Sequence, residues 1–259
     1  MKSISIASGL LVLLLSNRVT AFTTTTKHQR LSSSTPLKAT AENVNTWINL
    51  VPDNDAAPVQ KMLLEAATDS EKPAKGSAVT IEYTASLWMN SDDALGCSIP
   101  AWDTNAVIDC WLSEQQGLSD ILAGPFEEFS VDGSKLLDET IFTEGFVADE
   151  LGVDNKIRCK KTIMAAKRLR TTMAEYEHGL VFDSTDTKAD KVYKFVLGAG
   201  KTIKAMELLV ASMEIGETSR VVTRCDYGYG ADGCRTSKGD VLVPPFCGLQ
   251  FDVKLVAAE

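Results

Sequence analysis

Histidine is scarce in this sequence, which contains only His28 and His178 among 259 residues. A zinc site built on three histidines is therefore excluded, and any histidine-dependent catalysis must use His178 if the N-terminal segment is removed. Basic residues are also in the minority, because 26 Lys and Arg face 35 Asp and Glu, for a net charge of −9. This balance argues against a dedicated nucleic-acid-binding protein, which needs a positive surface.

Cysteine pairs with metal-ligand spacing are also missing. None of the six cysteines belongs to a Cys-x-x-Cys motif, so the sequence predicts no metal site. Cys234 and Cys247 flank a loop and are candidates for a regulatory disulfide, whereas free buried thiols are the expected default.

The first forty residues contain no acidic residue but carry five cations, and their removal takes the net charge from −9 to −14. The apolar run from Ile4 to Leu15 is shorter than the roughly 20 residues that span a membrane. It has the length of a signal-peptide core, and Val19-Thr20-Ala21 fits a cleavage site. The sequence therefore predicts a signal peptide over 1–21, with an N-terminal membrane anchor as the alternative.

A second targeting segment follows over 22–45. It begins at Phe22 and continues as a basic, hydroxyl-rich stretch typical of transit peptides. A signal peptide joined to a transit peptide through Ala21-Phe22 resembles the bipartite presequences of algae with complex plastids. The resemblance implies delivery to the plastid and no stable membrane span after processing. Because no second apolar run follows, the stroma is favoured over the thylakoid lumen, and secretion is the alternative.

The sequence of the remaining chain predicts an α+β fold. A polar linker is expected over 41–56, strands over 59–64, 79–87, 193–197, 219–223 and 249–256, and a short amphipathic helix over 202–213. Between them, helical spacing appears over 105–122, 136–152 and 156–177, with a predicted break at Gly124-Pro125. The segment 89–155 holds fifteen acids and one base, and 156–179 holds seven bases and two acids. We interpret the basic helix as an internal partner of the acidic stretch or as a solvated face, rather than as a surface for nucleic acid or membrane.

An ordered series of short motifs occupies both sides of the helical stretch. It runs through Pro73-Ala74-Lys75-Gly76, Ile81-Glu82-Tyr83-Thr84, Val181-Phe182-Asp183-Ser184-Thr185, Phe195-Val196-Leu197-Gly198, Ile203-Lys204-Ala205-Met206-Glu207, Met213-Glu214-Ile215-Gly216-Glu217, Tyr227-Gly228-Tyr229-Gly230, Val243-Pro244-Pro245 and Leu249-Gln250-Phe251-Asp252-Val253. This series resembles the FKBP-type peptidyl-prolyl cis-trans isomerase family. The resemblance implies a twisted antiparallel β-sheet wrapped around one short helix. It covers 57–88 and 180–259, so we expect one such domain over 57–259, interrupted by a mainly helical insertion over 89–179.

The resemblance also implies the site residues. Tyr83, Asp183 and Tyr229 match the catalytic positions. The matching substrate-binding positions are Phe182, Tyr193, Thr202, Ile203, Met206, Leu242, Val243 and Phe251. Leu242 and Val243 correspond to an apolar lip, the backbone N–H of Ile203 to a donor for a substrate carbonyl, and Met206 to a floor where the family often has Trp. Asp183 has an alternative role as a turn cap in Asp183-Ser184-Thr185.

The function implied by the resemblance is peptidyl-prolyl isomerisation of proline-containing polypeptides, without a cofactor, as a helper of protein folding. The alternative is a catalytically weak or inactive scaffold that binds a plastid protein through the insertion. An isomerase assay on the chain with and without 89–179 separates the two.

Overall fold

The fold is described from a computed structural model over residues 44–67 and 70–259. These residues all belong to one compact unit, Lys38–Glu259. The predicted signal peptide over 1–21 lies outside the described residues, as does the predicted transit segment apart from its last two positions. No helix within the described part is long and apolar enough to cross a membrane.

Seven antiparallel strands form the main sheet, in the order β1-β2-β6-β9-β3-β4, with β5 paired to another part of β3. Their bounds are β1 Trp47–Asn49, β2 Val59–Glu65, β3 Ala78–Trp88, β4 Val181–Ser184, β5 Tyr193–Val196, β6 Thr218–Thr223 and β9 Gly248–Ala258. A separate hairpin joins β7 Cys234–Arg235 to β8 Val241–Val243. The α+β fold with an antiparallel sheet expected from the sequence is confirmed.

The longest strands make up the centre of the sheet. β3 pairs with β9 from Val79↔Ala258 to Trp88↔Gly248. Along β3, Val79, Ile81 and Ala85 are fully buried, as the alternating sequence predicts. Because successive side chains of a strand point to opposite faces of the sheet, these buried residues show that one face of β3 lies on the hydrophobic core.

One helix, α5 Lys204–Ser212, packs on that face. Its buried residues Ala205, Met206, Leu209 and Val210 recur with helical spacing and join the apolar side chains of the strands in one core. The sheet and α5 therefore enclose the space in which the functional residues lie.

The segment between β3 and β4 forms a second hydrophobic core of its own. Its helices are α1 Thr104–Ala106, α2 Ser119–Glu128, α3 Gly133–Leu137 and α4 Lys156–Glu175, with π-helical turns at Val107–Trp111 and Phe146–Glu150 and 3₁₀ turns at Ile99–Ala101 and Leu112–Glu114. Trp102, Trp111, Phe126 and Phe142 are almost completely buried there. Met173 contacts both cores. Cys225, which follows β6 in the part of the chain that forms the sheet and α5 (the sheet domain), joins the hydrophobic core of the insertion.

Several boundaries in the insertion differ from the sequence prediction. The predicted break at Gly124-Pro125 is wrong, because α2 continues through both residues. Proline fits helical φ and removes only one hydrogen bond there, while Leu122 and Phe126 on either side are fully buried. The predicted helix over 105–122 is interrupted instead at Gly117, whose φ of 70° is left-handed.

The predicted helix over 136–152 is also divided, because α3 ends at Leu137 and the next helical turn begins at Phe146. Asp138 accepts hydrogen bonds from the backbone N–H and the hydroxyl of Thr140, and this local turn replaces helical bonding.

Part of the predicted linker over 41–56 is a strand. Trp47–Asn49 pairs with Gln60–Met62 of β2, so β1 extends the sheet by one edge strand. Trp47, Ile48 and Asn49 are all partly buried, which fits a strand at the edge of the sheet.

Candidate functional site

A cavity of about 580 Å³ lies where α5 faces the sheet, and its walls come from five elements and three loops. Nine of the eleven site residues predicted from the sequence line it: Tyr83, Phe182, Asp183, Tyr193, Thr202, Ile203, Met206, Tyr229 and Phe251. The long-range pairing of β3 with β4, β5 and β9 therefore brings together residues that are far apart along the chain.

Five aromatic rings form one connected wall of the cavity. Tyr83 meets Tyr193 edge-on at 6.1 Å between ring centroids and Phe251 at 6.2 Å. Phe182 contacts both Phe251, at 6.2 Å, and Tyr229, at 6.4 Å. Edge-to-face and tilted contacts of this kind favour defined ring orientations, so the five rings pack into one continuous aromatic wall.

A polar cluster interrupts this wall at one point. The hydroxyl of Tyr83 donates a hydrogen bond to Asp183 Oδ2 at 2.5 Å, and Lys188 Nζ contacts both groups, at 2.5 Å from the Tyr83 oxygen and 3.2 Å from the carboxylate. Burial and the hydrogen bond to Asp183 raise the pKa of Tyr83, so its hydroxyl stays protonated. The Lys188–Asp183 ion pair is more than one-third exposed on both sides, which limits its contribution to stability.

The alternative role of Asp183 as a turn cap is wrong. The 3₁₀ turn Thr185–Thr187 is capped by Ser184, whose hydroxyl accepts from the N–H of Asp186. Ser184 occupies the N-cap position, which immediately precedes the first residue of a helical turn. Asp183 is thereby left with its carboxylate in the cavity.

The N-terminus of α5 brings Ile203 and Met206 to the cavity. Ile203 has an extended backbone and its carbonyl accepts from the N–H groups of Met206 and Glu207. The Glu207 carboxylate in turn accepts from the N–H groups of Gly198 and Gly200. This side chain therefore fixes the loop before α5, and Met206, only 3% exposed, closes the cavity from below.

Tyr229 lies on a tight turn after β6. The N–H groups of Gly228 and Gly230, on either side of it, both donate to the carbonyl of Cys225. A side chain at position 228 would meet Leu249 at 2.8 Å, which explains the glycine there. Burial raises the pKa of Tyr229 to about 12, so its hydroxyl is a neutral donor at physiological pH.

Leu242 and Val243 do not line the cavity. Both belong to β8, and Val243 is 1% exposed within the core of the sheet domain. The hairpin β7–β8 occupies the longer loop after Tyr229, and pairing with Cys234 directs Val243 into that core. The predicted apolar lip is therefore absent from the described cavity.

Five lining residues were not predicted from the sequence. They are Lys188, Gly200, Lys201, Lys204 and Gly228. Lys188 lies 4.5 Å above the Tyr83 ring and 5.6 Å above the Tyr193 ring, and this cation–π geometry depends on the path of the loop between β4 and β5. In the sequence, the only indication that Lys188 belongs to the site is its position between two segments that carry predicted site residues.

No residue of the insertion 89–179 is among those that line the cavity. The insertion leaves the sheet at Trp88 and returns at Val181, and its ends are tied by hydrogen bonds of Leu87 with Gly179 and Leu180. The side chain of His178 stays at this junction, where its Nδ1 accepts from the N–H of Met89. The second histidine of the chain is thus a structural residue.

One group in the described part of the chain is compact enough to hold a metal ion, formed by Cys110, Cys225 and Asp226 within 4.8 Å of one another. Both carboxylate oxygens of Asp226 already accept hydrogen bonds from Arg224, at 2.8 and 2.9 Å. A guanidinium held against the carboxylate opposes a further cation, so this donor set does not fit a metal centre.

Comparisons with known proteins agree with these features. The family model for "FKBP-type peptidyl-prolyl cis-trans isomerase" matches residues 159–256. FK506-binding protein 1 of Dictyostelium discoideum is 43% identical over 79 residues, which are 30% of this chain and 68% of that protein. FKBP1A of Xenopus laevis is 33% identical over 97 residues, covering 36% of this chain and 84% of the relative.

Longer relatives match over a small part of their length. FKBP4 of Mus musculus is 38% identical over 77 residues, 30% of this chain and 16% of the relative. The crystal structure of the three FKBP domains of wheat FKBP73 aligns with 82% of this chain and 48% of that chain, at 14% identity and a TM-score of 0.41.

Proposed function

The chain belongs to the FKBP-type peptidyl-prolyl cis-trans isomerase family, and from this premise we propose that it accelerates rotation about X–Pro bonds in protein substrates. The observation that carries the proposal is the aromatic cavity with Asp183 and Tyr229 at its surface. We also propose that the protein helps other proteins to fold and that it is delivered to the plastid.

The physics of the reaction fits such a cavity. Rotation about an amide bond has a barrier of about 18–20 kcal/mol, and no covalent bond breaks. The twisted amide has lost its resonance and is less polar than the planar one, so contact with the aromatic wall stabilises it relative to the planar bound substrate. Each 1.36 kcal/mol removed from the barrier gives about tenfold in rate.

The polar groups then act as anchors. In the proposed complex the proline ring lies on Met206 between Tyr83 and Phe251, and the Tyr229 hydroxyl and the backbone N–H of Ile203 donate to substrate carbonyls. Asp183 stands beside the twisting carbonyl, with Tyr83 and Lys188 fixing its orientation. Because Tyr229 is a neutral donor, it can bind a carbonyl without a proton transfer.

The test is a proline-isomerisation assay on the recombinant protein, measured as acceleration over the spontaneous rate for an X–Pro peptide. We expect Asp183→Asn to lower kcat/KM by roughly fivefold or more, since a charge-assisted hydrogen bond is lost. Asp186→Asn is the matched control, because Asp186 is exposed and outside the cavity. A folded protein that gives no acceleration would leave the scaffold as the function.

A scaffold function is the second candidate, and α4 is the observation that favours it. Six of its cations are exposed, and none forms an ion pair with a carboxylate of the described residues: Lys156, Arg158, Lys160, Lys161, Lys167 and Arg168. Arg170 donates instead to backbone carbonyls of the insertion, including that of Leu136. Lys161 donates to the carbonyl of Gln116, and the charge of the other exposed cations suits an acidic protein partner.

The two functions are separable by one variant. Lys160→Glu combined with Arg168→Glu reverses charge on α4 without touching the cavity. If α4 binds an acidic partner, we expect this double substitution to weaken binding of a polyglutamate probe and to leave the isomerase activity unchanged. The control is Lys191→Glu, on an exposed loop outside the insertion.

A further inference from the structure

Two buried cysteines meet where the insertion contacts the sheet domain. Cys110 lies in the π-helical turn Val107–Trp111 of the insertion, and Cys225 opens the 3₁₀ turn that follows β6. Cys110 is 6% exposed and Cys225 is 1% exposed. Their sulfur atoms lie within 4.8 Å of each other, with the Asp226 carboxylate equally close.

The surroundings of this pair do not suit a metal ion. Asp226 is engaged through both oxygens by Arg224, which is 4% exposed. A hydrogen bond with Cys110 and burial raise the pKa of the Cys225 thiol well above its usual value, and the nearby guanidinium opposes this shift only in part. The pair is therefore held close together and protected from solvent, and it is slow to react while the contact stays closed.

We propose that Cys110 and Cys225 form a redox-active pair, and that their disulfide ties the insertion to the turn carrying Tyr229. The carbonyl of Cys225 accepts from the N–H groups of Gly228 and Gly230, so the position of Cys225 is coupled to both flanks of Tyr229. Cys110 belongs to the rigid interior of the insertion, beside the fully buried Trp111. The disulfide thus adds a covalent link between the interior of the insertion and the turn that carries Tyr229.

The chemistry is thiol–disulfide exchange with a small or protein disulfide as the oxidant. One cysteine loses its proton, and its thiolate attacks a sulfur of the oxidant. A mixed disulfide forms between these two sulfurs as the oxidant's S–S bond breaks, and the other half of the oxidant leaves as a thiolate. The second cysteine, also deprotonated, then attacks the protein sulfur of that mixed disulfide and releases the other thiolate. Two thiols become one disulfide, and the oxidant disulfide becomes two thiols. To form the disulfide, the sulfurs must approach from within 4.8 Å to about 2.05 Å.

The experiment exposes the full chain to oxidised glutathione, followed by thiol counting and peptide mass spectrometry without reduction. We expect loss of two free thiols, a linked peptide pair containing Cys110 and Cys225, and a Tm at least about 5 °C higher than in the reduced protein. Addition of dithiothreitol should reverse all three changes.

Variants assign the effect to this pair. Cys110→Ser and Cys225→Ser should each abolish the linked peptide and the rise in Tm. Cys159→Ser and Cys234→Ser are controls, because Cys159 is an equally buried thiol of the insertion and Cys234 is half-exposed; both should leave the linkage intact. Peptide mapping of the unaltered protein keeps the test decisive if a variant does not fold. A different cysteine pairing, or glutathione adducts without an internal link, would overturn the proposal, as would zinc retained stoichiometrically by these two thiols.

Discussion

The hydroxyl of Tyr83 lies 2.5 Å from Oδ2 of Asp183, although the two residues are one hundred positions apart in the chain. β3 and β4 bring them together, and the whole insertion lies between these strands in sequence. The ends of the insertion return the chain to a neighbouring strand, and no residue of the insertion lines the cavity.

Removal of the Tyr83 hydroxyl tests this relationship. Tyr83→Phe keeps the ring wall and frees the Asp183 carboxylate to rotate or to bind Lys188 alone. We expect kcat/KM for an X–Pro peptide to fall about threefold to tenfold, since one hydrogen bond to a charged group contributes about 1 kcal/mol or more. Tyr193→Phe is the matched control, because the Tyr193 hydroxyl has no hydrogen bond within residues 44–67 and 70–259. Equal effects of the two substitutions would contradict a special role for the Tyr83–Asp183 contact.

The pH dependence of kcat/KM follows from the raised pKa values of Tyr83 and Tyr229. Burial raises the pKa of Tyr229 to about 12 and raises that of Tyr83 as well, and a raised tyrosine pKa means that the neutral donor persists to higher pH. We therefore expect kcat/KM to stay flat from pH 7 to about 10, beyond the range in which an exposed tyrosine begins to ionise. The measurement is a pH–rate profile with a check of folding at each pH. A fall with a midpoint near 10, the ordinary tyrosine value, would show that Tyr229 is not shielded in this way.

Much of the sheet domain was predictable from local sequence. The alternation in β3 and the helical spacing of α5 identify the core faces, and these positions are buried as predicted. Lys188 and Val243 could not be assigned in this way. Lys188 reaches the site through a loop whose path depends on tertiary contacts, and Val243 is drawn into the core by its pairing with Cys234. Likewise, Gly124-Pro125 remains helical because Leu122 and Phe126 are buried on both sides of it.

Two glycines of the insertion make a matched test of its packing. A side chain at Gly133 would meet the carbonyl oxygen of Ile99 at 1.8 Å, whereas one at Gly124 would meet nothing within 4 Å. We expect Gly133→Ala to destabilise the protein by about 2 kcal/mol or more, because backbone must move to relieve the overlap. Gly124→Ala should change the stability by less than about 1 kcal/mol, because the gain in helix propensity within α2 is opposed by the ring of the following Pro125. Denaturant unfolding of both variants measures the difference, and a neutral Gly133→Ala would mean that the contact with Ile99 is loose.

The predicted plastid address depends on Ala21-Phe22. The apolar run from Ile4 is too short to span a membrane stably, but it has the length that secretion machinery recognises. Cleavage after Ala21 would expose Phe22 ahead of a basic, acid-free segment. We expect residues 1–45 fused to a fluorescent protein to enter the plastid interior of a complex-plastid alga, and Phe22→Ala to stop the fusion before the last import step. Thr24→Ala is the control, because it alters the same segment without removing its leading aromatic residue. Secretion of the unaltered fusion into the medium would overturn the address, and it would place the six cysteines in an oxidising environment that favours disulfides.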